Sequence, residues 1–156
     1  MSHAILVYGY GNPGRQDDGL GPALVDRLED DRIPGVATDA NYQLQIEDAV
    51  AVSESDTVIF VDATESGDAP FTFTELEPSD NIAFTTHSVS PGSVLAICQN
   101  MYRKKVRAYV LAIRGYGWEF MEKLTPSAEK NLEEAYRFLR EKINDIMNRS
   151  NRNTIN

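Results

Sequence analysis

The stretch from Ile5 to Gly21, Ile-Leu-Val-Tyr-Gly-Tyr-Gly-Asn-Pro-Gly-Arg-Gln-Asp-Asp-Gly-Leu-Gly, constrains this chain more than any other. Ile5 to Tyr8 is a short apolar run suited to a buried strand. Asn12-Pro13-Gly14 is strong turn chemistry. Leu20, Leu24 and Leu28 then recur at helical spacing, with Ala23 and Val25 filling out the apolar face. The sequence therefore predicts a strand, a glycine loop, a pair of acids and a helix start. Asp17 and Asp18 fall where the strand ends and the helix begins. In an open α/β sheet, that edge is where ligands bind.

Gly9-x-Gly11-x-x-Gly14 matches the dinucleotide fingerprint in its letters. In a true fingerprint the third glycine lies in the opening turn of the helix, whose N-terminus meets the pyrophosphate. Here Pro13-Gly14-Arg15-Gln16 prolongs the loop, and two acids that would repel a pyrophosphate follow. A pair of acids at a sheet mouth suits a cation better. A non-hydrolytic nucleotide- or metal-binding module is the alternative reading. Asp17 suits a helix cap or a turn, whereas Asp18 is the candidate for chemistry.

The rest of the chain repeats the pattern. Val36 to Ala40 reads as a second strand and Tyr42 to Val52 as a helix, with Glu47 and Asp48 facing solvent. Ser53 to Asp56 reads as a turn. Thr57-Val58-Ile59-Phe60-Val61-Asp62 is β-branched and apolar, as befits a strand buried on both faces, and it ends on Asp62. A carboxylate there is costly to desolvate unless paired or ligated. Phe71 to Leu76 alternates as an antiparallel edge strand. Ser90-Pro91 and Thr125-Pro126 read as N-cap and first helical residue. Val94, Ile97, Cys98 and Met101 give the first of these helices its apolar face. Ala128, Leu132, Ala135, Leu139, Ile143 and Ile146 stripe the second. His87 sits just before the Ser90 cap, whereas His3 lies at a frayed terminus. Ala108 to Ile113 is the last buried strand, and Arg114 to Phe120 leaves it as an aromatic loop. The order predicts an α/β fold with a doubly wound, mostly parallel twisted sheet and helices on both faces. One domain spans residues 1–147, and 148–156 forms a disordered polar tail. Asp18, Asp62 and His87 then share one mouth.

Composition narrows the function. The 156 residues carry a formal net charge of -9, which disfavours nucleic acid and anionic membranes as partners. The single cysteine, Cys98, excludes a disulfide framework and a paired-cysteine metal site. No apolar run approaches the roughly 20 residues of a membrane span, and the opening residues lack a signal-peptide pattern. A cytoplasmic location and a monomer are the simplest expectations.

The motifs together resemble a known family. Gly9-Tyr10-Gly11-Asn12 followed by Asp17-Asp18-Gly19-Leu20-Gly21 resembles the opening signature of the [NiFe]-hydrogenase maturation endopeptidases. Val61-Asp62-Ala63 is similar to their second acidic motif, His87 to their histidine, and Leu124-Thr125-Pro126 to the lead into their last helix. The resemblance spans residues 4–147. It implies a peptidase that removes a C-terminal extension from the hydrogenase large-subunit precursor once nickel is in place. It also implies that Asp18, Asp62 and His87 serve as metal-site and catalytic residues. The nickel is then the substrate's own, so the isolated protein is expected to be metal-free or to bind a surrogate divalent cation. The Asp-Gly-Gly-Thr segment of many members is replaced here by Asp39-Ala40-Asn41-Tyr42, which leaves the cognate hydrogenase open. Without the family, two carboxylates and an imidazole fit either a metal-assisted hydrolysis or an acid pair oriented by the histidine. A serine nucleophile elbow and a zinc-protease helix motif are both missing.

Overall fold

Apolar residues occupy successive positions of the central strands, so each strand must be covered on both sides. The computed structural model, which describes residues 3–79 and 89–155, shows how. Strand β1 (His3–Tyr10) leads through a 3-10 turn (Gln16–Gly19) into α1 (Leu20–Asp30). There follow β2 (Val36–Asn41), α2 (Asp48–Ser53), β3 (Ser55–Thr64), β4 (Phe71–Leu76), α3 (Pro91–Met101), β5 (Arg107–Arg114) and α4 (Pro126–Ile155). The sheet order is β2-β1-β3-β5-β4. All neighbours are parallel except β4, which runs antiparallel to β5 at the edge. This is the doubly wound arrangement and the antiparallel edge that the sequence predicts.

Strand periodicity assigns the faces. Ile5, Val7, Ile59, Val61, Leu111 and Ile113 point to one side, where Leu20, Leu24 and Leu28 of α1 and Ala135, Leu139 and Ile143 of α4 cover them. Leu6, Tyr8, Val58 and Phe60 point to the other, under Ala49 and Val52 of α2 and Val94, Leu95 and Cys98 of α3. Each fully buried Leu or Ile contributes about 1.5–3 kcal/mol, so both layers are needed to hold the sheet. Among the described residues, no helix is long and apolar enough to cross a membrane.

The helix starts follow their local chemistry. The Ser90 hydroxyl accepts from the Ser93 N–H at 3.1 Å, with Pro91 in the first helical position. The Thr125 hydroxyl accepts from the Ala128 N–H at 3.2 Å ahead of Pro126.

Several expectations need correction. Residues 42–47 are not helical, because Leu44 is buried through a tertiary contact: its carbonyl accepts from Val89 N–H at 3.3 Å. Asp48 does not simply face solvent, since its carboxylate accepts from the Tyr8 hydroxyl at 2.7 Å and from Gln45 N–H at 2.8 Å. Ser55 and Asp56 belong to β3 rather than to a turn. Met101, at the last turn of α3, is exposed. His3 is paired into β1 and donates its N–H to the Glu54 carbonyl. Helix α4 also continues through 148–155, where the sequence predicts a disordered tail. Once a long helix is nucleated, each added residue gains a hydrogen bond without a new nucleation cost.

Candidate active site

The C-terminal ends of β1 and β3 lie side by side, with Gly9 opposite Val61 in the parallel register. Helix α1 starts directly above them. The approach is so close that a Cβ on Gly21 would lie 2.5 Å from the Val61 carbonyl oxygen and 2.8 Å from that of Tyr10. Gly11, at φ +141°, adopts a conformation that other residues rarely reach, and a Cβ there would overlap the Asp18 carbonyl. These two glycines let the acidic turn settle onto the strand ends.

Asp18 and Asp62 meet at this mouth. Asp18 Oδ2 accepts from Asn12 N–H at 2.8 Å, which ties the carboxylate back across its own loop. Asp62 Oδ1 accepts from Ala63 N–H at 2.8 Å. Burial pushes the Asp62 carboxyl up to about 6; the Ala63 N–H opposes this, the Asp18 charge adds to it, and Tyr10 opposes it again. The Tyr10 phenol engages Asp62 and is itself held well above its ordinary range by burial and by the Asp62 charge. One carboxylate that readily holds a proton thus stands near a second, the arrangement that divides acid and base roles between two like groups. Sequence reasoning passed over Tyr10 as part of the glycine loop. Its signal was the placement of a phenol on the last residue of β1.

Asp17 goes elsewhere. It is buried, and it does not cap α1, whose N-cap is Gly19 with no side-chain bond. Its Oδ2 accepts from the N–H groups of Tyr116 at 2.7 Å and Gly117 at 2.9 Å and from the Thr125 hydroxyl at 2.8 Å. Its Oδ1 accepts from Thr125 N–H at 2.8 Å. Burial alone would raise its carboxyl, but these donors on Tyr116, Thr125 and Gly117 outweigh it and hold Asp17 below the usual carboxylate range. Its turn role is therefore played for the β5–α4 loop.

His87 lies outside the described residues. Among the described residues, no three His, Cys, Asp or Glu side chains converge as a metal site. Asp18 and Asp62 offer two oxygen donors, which suits a cation that brings most of its own ligands.

The loop does not present a phosphate cradle. Its N–H groups are spent internally: Gly11 on the Asn41 carbonyl, Asn12 on Asp18, Gly14 on the Asn12 side chain, Arg15 on the Asn12 carbonyl and Asp18 on the Arg15 carbonyl. An apolar hollow of about 210 Å³, lined by Gly11, Pro13, Pro22, Ala40, Asn41 and Tyr42, opens beside it. A larger hollow of about 360 Å³, lined by charged side chains that include Glu75, Lys105 and Arg107, lies at the opposite edge of the sheet, remote from both carboxylates.

No protein-family model matches the chain, and no curated protein matches it in sequence. Solved structures do match in fold. A hydrogenase maturating endopeptidase, HybD, from E. coli superposes with a TM-score of 0.71 at 22% identity, over 91% of this chain and 93% of that one. A [NiFe] hydrogenase maturation protease, HycI, from Thermococcus kodakarensis KOD1 gives 0.70 at 19% identity, over 88% and 90%. A hydrogenase 2 maturation peptidase from Thaumarchaeota archaeon SCGC_AB-539-E09 gives 0.67 at 21% identity, over 90% and 98%. Along nearly its whole length, this chain has the fold of the hydrogenase maturation peptidases.

Proposed function

We propose that this protein is an endopeptidase that removes the C-terminal extension of a [NiFe]-hydrogenase large-subunit precursor. The observation that carries the reading is the Asp18–Asp62 pair at the joint mouth of β1 and β3, on a fold shared with maturation peptidases over about nine-tenths of each chain. The opening signature and the motif at Asp62 supply the sequence side of the same reading.

Hydrolysis adds water across the scissile amide: its OH joins the carbonyl carbon, the C–N bond breaks, and the amine takes a proton. Asp18 can accept the proton of the attacking water. Asp62, raised to about 6 by burial, the Asp18 charge adding to it, can hold a proton for the departing amine. Nickel arrives with the precursor, as part of the substrate; in a metal-assisted course the same two groups, both ionised, would give it oxygen donors and it would polarise the scissile carbonyl. The family resemblance assigns His87 as the third group. The nucleotide-binding alternative finds no support in a loop whose N–H groups are already bonded.

The test is the mass of a nickel-loaded large-subunit precursor before and after incubation with this protein. Loss of a C-terminal peptide, absent with Asp18→Ala, is the expected result. An unchanged mass across precursors of two hydrogenase classes, each cut by its own peptidase in parallel, would refute the proposal.

A further inference from the structure

We infer that Asp17 is the positioning residue for Asp18: by binding the β5–α4 loop, it fixes the turn that aims the Asp18 carboxylate at the mouth of the sheet. The inference deepens the hydrolytic reading above and rests on it for its kinetic arm only.

The turn Gln16–Gly19 is closed by its own backbone, through the Asp18 N–H on the Arg15 carbonyl, but has no side-chain cap at either end. Neither Arg15 before it nor Gly19 at the start of α1 makes a side-chain capping bond. Its orientation is set from outside, by residues about one hundred positions away. Every donor that reaches Asp17 comes from that one loop: the N–H groups of Tyr116, Gly117 and Thr125, and the Thr125 hydroxyl. The Asp17 N–H in turn donates to the Gly117 carbonyl at 3.0 Å. The bonds flanking it run between the same two loops. Glu119 N–H donates to the Gln16 side chain at 3.1 Å, and Met121 N–H to the Gly14 carbonyl at 2.9 Å. These flanking bonds are exposed at the side chain or lie on the loop backbone, whereas Asp17 is buried. A buried charged acceptor with satisfied donors is costly to disturb, so it dictates where its neighbours go. Asp18 is the next residue, and its link to Asn12 N–H holds only while the turn keeps its place.

Asp17→Asn keeps the side-chain shape but presents an NH₂ group to at least one N–H or O–H donor. The first readout is hydrogen exchange at the Asn12 amide, the donor to Asp18. We expect it to quicken by at least about tenfold, while amides at the centre of β3 stay protected. The second is peptide release from nickel-loaded precursor, expressed per folded molecule. We expect kcat to fall by at least about tenfold with KM within about threefold. Should Asp17→Asn not fold, Thr125→Val removes the hydroxyl that serves both Asp17 and the Ala128 N–H, and shifts both readouts in the same direction, whereas Thr125→Ser restores them. An Asn12 amide as protected as in the wild type, or an unchanged kcat per folded molecule alongside a lowered Tm, overturns the inference and leaves Asp17 a purely structural clamp. If the wild-type protein releases no peptide from any precursor, the hydrolytic reading fails. The Asn12 amide alone then decides the positioning role.

Discussion

Asp62 lets the cost of the site be measured without any substrate. Its carboxyl is raised from the usual 3.8 to about 6, first by burial, with the Asp18 charge adding to it. At about 1.4 kcal/mol for each tenfold change in proton affinity, carrying the ionised form in the folded state costs about 3 kcal/mol. The sign follows from linkage. The folded state binds this proton more tightly than the unfolded chain does. The stabilising contribution is therefore complete below pH 3.8 and is lost as the pH rises through about 6. Asp62→Asn is the matching perturbation. An amide oxygen can still accept the Ala63 N–H, which lies 2.8 Å from Asp62 Oδ1, and the group stays neutral at every pH.

Urea unfolding of the wild type and of Asp62→Asn, compared from pH 3.5 to 7.5, isolates this group. Titrations of groups that do not interact with Asp62, including that of Asp17, are common to both proteins and cancel. The two should be nearly equal in stability at the acid end, and the variant should be more stable by up to about 3 kcal/mol at neutral pH. With a slope of about 2 kcal/mol per molar urea, that difference moves the midpoint by about 1.5 M. A stability difference that does not change across this range would show that the folded state carries the Asp62 charge at no cost, and would refute the reasoning. The same substitution should abolish peptide release, since a site that destabilises its own fold is kept for function.

Other outcomes follow from the same geometry. Asp18→Asn should abolish precursor cleavage without lowering Tm, and carbon NMR titration should find the Asp62 carboxyl lowered but still above 3.8, since burial is the larger cause. Gly21→Ala should cost at least about 2 kcal/mol in urea unfolding, because its Cβ would meet backbone oxygens of Val61 and Tyr10 that cannot move without breaking the sheet. Leu139→Ala, at a fully buried position of α4, should cost about 2–5 kcal/mol by calorimetry and leave the activity of the folded protein intact.

The parts of this fold that were legible in the sequence are those fixed by local chemistry. Ile5–Tyr8 and Thr57–Val61 read as buried strands because both of their faces are apolar. Ser90-Pro91 and Thr125-Pro126 read as helix starts because cap and proline sit side by side. What escaped was set by distant partners. Leu44, Ile46, Ala49 and Val50 are apolar at spacings that mimic a helix, yet the burial of Leu44 is decided by α2, α3 and the Val89 N–H. Tyr10 reveals its role only when β1 and β3 are laid in register and Asp62 arrives beside it. Asp17 finds its donors on a loop near residue 116, which no local pattern announces.

The adjacent acids show why two such residues do not make one site. In a 3-10 turn, consecutive side chains diverge by about 120°, because each turn takes three residues. Asp17 and Asp18 therefore cannot present their carboxylates to the same ion or the same water. One of them must turn inward, and inward there is no water to solvate it. It survives there as a charge only because Tyr116, Gly117 and Thr125 supply donors. The second carboxylate of a working pair then has to come from another element that ends at the same mouth. Strand β3 is the neighbour of β1, and its Asp62 lies one residue beyond the Gly9–Val61 pairing. The doubly wound sheet meets that requirement by placing parallel strand ends side by side. On the proposed reading, the Asp-Asp pair in the sequence thus marks one site residue and its anchor, and the carboxylate that would work with Asp18 is encoded 44 residues later.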